Sequence, residues 1–181
     1  MFAPIAALCV LISIQSIEGH DFVYKMKNVT CRTYNEELVK RLGCDFTKHR
    51  INNYVISLQL LFTRDLDRSF KAHFAIDLMP TNSRQIIHLI NVRFNCCVFL
   101  QRSLENQLIR PLMIELKRVT NLPKQCPYKK DVLYQVKNFS LSEALIPTYL
   151  PTVNFNATLN LYDRNEIIVI IQFLGNIAQK K

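Results

Sequence analysis

Glycine is nearly missing from this chain: three residues in 181. No Gly-rich loop is available to cradle a phosphate, and neither G-x-S-x-G nor H-E-x-x-H occurs. There is also no C-x-x-C. The four histidines, His20, His49, His73 and His88, do not stand at ligand spacing, so zinc finds no donor pattern. Acidic residues are few, 14 against 23 Lys and Arg, and none forms the paired carboxylates of a glycosidase. Internal repeats and low-complexity linkers are lacking, and no segment after the first residues is long and uncharged enough to span a bilayer. These gaps leave a single compact domain, not an enzyme, with no metal and no cofactor.

What is present begins with "MFAPIAALCVLISIQSIEGHD", an apolar run through Ile14 followed by small and polar residues. This reads as a secretory signal peptide, residues 1–19, cleaved between Ser16 and His20. An uncleaved anchor is the rival reading, but the apolar core is too short to cross a bilayer. Residues 20–181 then form one domain of about 160 residues, enough for a real core. Cys9 leaves with the signal. Cys31, Cys44, Cys96, Cys97 and Cys126 remain, an odd set that in an oxidising compartment implies disulfides and one spare thiol. Sequons at Asn28, Asn138 and Asn156 suit export and are expected to be glycosylated. The formal charge of +9 rises by one when Glu18 is lost. It implies attraction to lipid headgroups or acidic glycans, or plain solubility. Nucleic acid is not an expected partner, since no compact basic motif occurs.

Period-2 alternation dominates. Ile56, Leu58, Leu60 and Phe62 alternate with polar residues, as do Phe70, Ala72, Phe74, Ile76 and Leu78. Each set reads as a half-buried strand. The run from Ile86 to Cys96 puts Ile90, Val92 and Phe94 on one face. Val153, Phe155, Ala157, Leu159 and Leu161 alternate with asparagine and threonine, and "YDRN" turns into "EIIVIIQFL", a C-terminal hairpin with Asn156 facing solvent. One stretch departs: Leu104, Leu108, Leu112 and Leu116, with Ile109 and Met113, repeat at helical spacing. A single amphipathic helix is expected between Cys97 and Cys126, kinked or split near Arg110 by Pro111. Several antiparallel strands and one helix predict a mainly β fold, a β-sandwich with the helix against a sheet edge or opening.

The alternation also sorts the cysteines. Cys96 is in phase with Val92 and Phe94 and falls inward as a small hydrophobe and free thiol. Cys97 points away, toward the helix, and a bond to Cys126 would close a loop of about 30 residues, worth roughly 3 to 4 kcal/mol. Cys31 and Cys44 would close the N-terminal loop. A bulge that shifts the phase would exchange Cys96 and Cys97. His88 is in phase with the inner face and reads as a satisfied core residue; His73 faces outward and reads as solvated. A cysteine nucleophile would need an accessible thiolate and a positioned base.

The phrases "NVTC" at Cys31, "GCDF" at Cys44, "NVRFNCCVFLQ", the helical spacer, "QCPY" and "LIPTYLP" resemble an insect family of small secreted proteins. It is known as the domain of unknown function 1091 and lies close to the CheB chemosensory proteins. Family members usually carry Phe where this chain has Cys96, which leaves Cys97 as the family cysteine. Pro111 and the glycine-free "IPTYLPT" depart from the family pattern. The family is similar to ML lipid-recognition and ganglioside activator domains, so the resemblance implies an immunoglobulin-like (ML-type) sandwich that admits an acyl chain. Phe62, Phe74, Ile90, Phe94, Phe155 and Leu159 would line the slot, and Arg110, Lys117 and Arg118 would hold an anionic headgroup. The expected activity is binding of a hydrophobic small molecule, lipid or pheromone-like, in chemosensory or reproductive tissue. The alternative is an extracellular adaptor that docks a receptor or an anionic membrane surface without an internal ligand.

Overall fold

The computed structural model describes residues 22–83, 85–102, 110–141 and 152–179. Residues 1–19, expected to be a signal peptide, Leu104, Leu108 and Ile109 of the helical stripe, and the stretch "LIPTYLP" lie outside them. The described chain is mainly β. Its elements are β1 (Phe22–Thr33), β2 (Val39–Arg50), β3 (Asn53–Phe62), β4 (Lys71–Pro80), β5 (Ile87–Asn95), α1 (Cys96–Arg102), α2 (Arg110–Arg118), β6 (Leu133–Leu141), β7 (Val153–Asp163) and β8 (Glu166–Gln179). All pairings are antiparallel. A five-stranded sheet runs β1-β8-β7-β4-β5, and a three-stranded sheet runs β2-β3-β6.

Because side chains alternate across a pleated strand, register aligns the inward residues into rows. Thr33, Val169, Leu161, Ala72 and Phe94 make one such row across the larger sheet. The buried core divides in two. One cluster gathers Phe62, Leu66, Phe70, Cys96, Tyr128 and Tyr134 near the β7–β8 turn. The other gathers Tyr24, Met26, Tyr54, Ile56, Leu78, Val153 and Ile177 at the opposite end. Edge-to-face rings tie the first together: Phe70 to Tyr128 at 5.0 Å and Tyr128 to Tyr134 at 5.3 Å.

The β7–β8 end is also fastened by charge. The buried carboxylate of Asp163 accepts from the Arg64 guanidinium and, at 2.8 Å, from the Ser69 hydroxyl, so the β3–β4 loop is held against the β7–β8 turn. Asp65 accepts from the Lys130 backbone N–H at 2.8 Å and from Lys129 Nζ at 2.9 Å. Those donors, the Lys130 N–H foremost, hold its carboxyl below the ordinary carboxylate range. The Ser69 N–H does the same for Asp67. Two disulfides add covalent ties: Cys31 to Cys44, with Cα atoms 6.0 Å apart, and Cys97 to Cys126, 5.4 Å apart. Cys31 lies on β1 and Cys44 on β2, so the first bond joins the two sheets as well as closing a loop.

Gly175 sits where two elements come unusually close. A Cβ there would stand 2.5 Å from the Lys25 carbonyl oxygen and overlap the Phe155 ring. The neighbouring β1 strand shifts register between Met26 and Asn28, a bulge that bends the edge strand.

Two expectations need correction, those on the cysteine pair and on His88. The described helices are two, the second described from Arg110, where a kink or split was expected. Asn95 caps the first, its Oδ1 accepting from the N–H groups of Cys97 and Val98 at 2.9 and 3.2 Å. Pro111 is the second described residue of α2. Cys96 and Cys97 therefore stand on a helix rather than on extended chain, and both are buried; the partition into core thiol and bonded cysteine nonetheless agrees with the alternation. His88 is not a core residue. The β4–β5 register shifts between Ile76 and Asp77, leaving Leu89 unpaired and turning His88 to the outer face, where Nδ1 meets Asp77 Oδ1 at 2.7 Å. His73 faces outward as expected and bonds Asn91 at 2.8 Å.

Candidate ligand-binding face

The larger sheet has two strands more than its partner. Cys31–Cys44 aligns β1 with β2 at one margin, so the excess falls at β4 and β5. Burial records this. Along the row Cys31, Ile171, Leu159, Phe74, Val92, Ile171 is buried, Leu159 and Phe74 are half-buried, and Val92 is 47% exposed. The next row, Val29, Phe173, Ala157, Ile76, Ile90, is half-buried throughout. At its centre stands the small Ala157, paired with Phe173 and Ile76. Leu58 of β3 and Phe173 pack against both buried clusters. Between two closed ends there is thus an apolar strip, on the inward side of the sheet, that solvent reaches.

Of the six predicted lining residues, Phe74, Ile90, Phe155 and Leu159 stand on this strip or at its end. Phe94 is half-buried and stacks on Phe99 of α1, ring centroids 4.3 Å apart. Phe62 does not line it: its side chain is 0% exposed, enclosed by Phe70 and Tyr134. Strand alternation names the inward face, but which end of that face is sealed depends on loops from elsewhere in the chain. Ile76, Ala157 and Phe173 belong to the strip and were not singled out. The signal for Phe173 was hidden in the continuous apolar run of β8, whose phase is unreadable without its partner.

The helical excursion flanks the open margin. It leaves the end of β5 as α1 and returns along β6, where the Lys137 N–H donates to the Val119 carbonyl at 2.7 Å and the Asn121 N–H to the Gln135 carbonyl at 3.3 Å. This segment covers the free edge of β6, as an unpaired edge requires. Met113 is the buried anchor of α2. Arg110, Ile114 and Lys117, spaced i, i+4, i+7, share its exposed face. Arg118 differs, because Nη1 bonds Glu115 Oε1 at 2.9 Å and its charge is compensated.

The Cys96 thiol packs with Tyr128 and Phe70. Burial pushes it up to about 12 and raises the neighbouring Tyr128 phenol as well; a thiol so placed stays protonated and unreactive. Asn28 and Asn138 are exposed at irregularities in β1 and β6. Asn138 takes a left-handed φ of 55°. Asn156 is half-buried and accepts from Gln172 Nε2 at 3.0 Å. A cleft of about 500 Å³ lies beside the second disulfide, lined by Arg68, Asn95, Cys97, Val98, Gln125 and Cys126. Its lining is mixed polar and apolar, and it includes none of the predicted lining residues.

No match is found among curated proteins. Residues 72–157, from the start of β4 to the middle of β7 and so including the whole open margin and the helical excursion, match the family model described as a protein of unknown function (DUF1091).

Proposed function

We propose that the chain is a secreted, non-enzymatic binding protein for a hydrophobic small molecule, a lipid or pheromone-like compound lying along the strip at Phe74, Ile90, Phe155 and Leu159. The observation that carries this reading is the fall in burial along a single inward row, from Ile171 through Phe74 to Val92. Inward-facing apolar side chains open to solvent are a cost to an empty chain, and covering them contributes about 0.8 kcal/mol for each ligand methylene buried. A groove that is mostly apolar with a few polar groups at its rim is the usual form of a small-molecule site. Arg110 and Lys117, with no ion pair among the described residues, would supply the rim for an anionic headgroup. The two disulfides are consistent with an extracellular protein, and cleavage of residues 1–19 belongs to the same proposal. So does kinship with the insect CheB-like proteins and, through them, with ML-type lipid-recognition sandwiches of immunoglobulin-like form.

The experiment is organic extraction of the natively purified protein followed by mass spectrometry, with binding of the apolar dye N-phenyl-1-naphthylamine as a second readout. A stoichiometric lipid or saturable dye binding is expected. An empty extract together with no dye binding would sink the proposal and favour an adaptor that docks by its surface alone.

A further inference from the structure

Strand direction gives the sandwich two unlike ends. Asp65, Asp67, Asp131, Asp163 and Glu166 all lie at the end of the β7–β8 turn, interleaved with Arg64, Lys129 and Lys40, which pair with them. The opposite end is formed by the start of β1, the β2–β3 turn and the β4–β5 connection. There the sequence Lys48-His49-Arg50-Ile51 makes the tip of the β2–β3 hairpin. Lys48, His49 and Arg50 are exposed, and so is Lys25 on adjacent β1. None of the four has a carboxylate partner among the described residues; the nearest acid along the hairpin is Asp45, further up β2. Ile51 is 71% exposed, the highest value of any large hydrophobic described. Ile86 and Ile87, 49% and 45% exposed, stand at the same end on the other sheet.

The tip is held, not trailing. Asn52, at a left-handed φ of 57°, accepts through Oδ1 from the Tyr24 N–H at 2.8 Å, which moors the turn to the larger sheet. What distinguishes the tip is the combination: an exposed isoleucine on a moored turn, next in sequence to three exposed basic side chains, at the same end as exposed Ile86 and Ile87. An apolar point with a cationic collar at one level matches the profile of a bilayer surface, acyl chains below and anionic headgroups above. A protein partner would ask for a broader apolar centre than Ile51 on one turn and Ile86 and Ile87 on the other supply.

We propose that this end of the sandwich docks on anionic lipid bilayers, with Ile51 entering the acyl boundary and Lys48, Arg50 and Lys25 on headgroup phosphates and carboxylates. The assignment is independent of whether the inner strip carries a ligand, because partition onto vesicles is measured on the chain as purified, loaded or empty.

The test is co-sedimentation of the full chain with phosphatidylcholine vesicles, with and without about one-third phosphatidylserine. Partition onto the anionic vesicles alone is expected, weakening as salt rises. The double change Lys48→Gln, Arg50→Gln should lower the partition coefficient about 25-fold, near fivefold for each cation removed. The sequence contains no tryptophan, so Ile51→Trp installs a unique probe whose emission should shift blue on anionic vesicles and be quenched by brominated acyl chains. All three side chains are exposed, and an unchanged far-ultraviolet dichroism spectrum and urea midpoint check that the variants remain folded. Equal binding to neutral vesicles, no vesicle binding, an unshifted Ile51→Trp emission, or loss of binding through Arg110→Gln, Lys117→Gln instead would each overturn the proposal.

Discussion

Two phenylalanines with the same inward orientation should answer very differently to truncation. Phe62 is wholly enclosed, with Phe70 at 5.7 Å and Tyr134 at 6.4 Å between ring centroids. Phe62→Ala therefore loses both the transfer energy of a ring and the packing around the hole it leaves, about 3 to 5 kcal/mol. Phe74 is half-buried and belongs to neither buried cluster. Solvent already reaches it, so Phe74→Ala leaves no sealed cavity and costs about 1 to 1.5 kcal/mol, half the usual transfer term. With a urea slope of about 2 kcal/mol per molar, the midpoint should move by roughly 2 M for the first variant and by about 0.5 M for the second. Ligand binding should rank them the other way. Phe74→Ala removes apolar contact from the strip and should weaken N-phenyl-1-naphthylamine about fivefold, the equivalent of about 1 kcal/mol. Phe62→Ala, measured on the folded fraction, should leave dye affinity unchanged. Equal stability losses, with dye affinity insensitive to either change, would mean that Phe74 is ordinary core and that the strip is not a binding face.

The buried thiol makes a pH prediction of definite sign. Cys96 is held near 12 in the folded chain against about 8.5 for an unfolded cysteine, so the native state binds the thiol proton more tightly. That contribution to stability is full below about pH 8.5 and is lost as pH climbs toward 12; Cys96→Ala should flatten this part of an alkaline stability curve measured by urea midpoint. In the unsubstituted protein, iodoacetamide at mildly alkaline pH should leave Cys96 unlabelled until denaturant is added, as read by peptide mapping, and rapid native labelling would contradict its enclosure. Gly175→Ala should destabilise by about 1 to 3 kcal/mol, because the obstacle includes the Lys25 backbone carbonyl, which cannot swing aside. An unchanged thermal midpoint would show that β1 gives way freely there.

How far the chain could be read in advance depended on whether a strand keeps its phase. β3, β4 and β7 alternate cleanly over most of their length, and their inward residues were legible. β1, β2 and β6 were not picked out. Each contains a register shift, at Met26/Asn28, at Val39/Arg41 and opposite Ile56/Leu58, so the period breaks partway along an otherwise ordinary strand. The same physics explains His88: one unpaired residue, Leu89, reverses the side to which every earlier residue of β5 points. The cysteine pairing was legible because Cys97 and Cys126 bracket the helical detour, a relation that survives the replacement of a strand end by a helix start. The limits of the candidate face were not legible. Phe62 and Phe74 are indistinguishable by alternation, and only the closure of one end by Tyr128, Tyr134 and the Arg64–Asp163 contact separates them.

The placing of the covalent ties sets how the two sheets are free to move. One tie lies along the β1/β2 margin and the other at the β7–β8 end, where the described inter-loop ion pairs also gather. The far corner, between the starts of β5 and the end of β6, has no covalent tie among the described residues. The two bonds therefore resist separation of the sheets along the β1/β2 margin and at the β7–β8 end. If the proposed strip takes guests of differing girth, the stitched sides should keep their spacing.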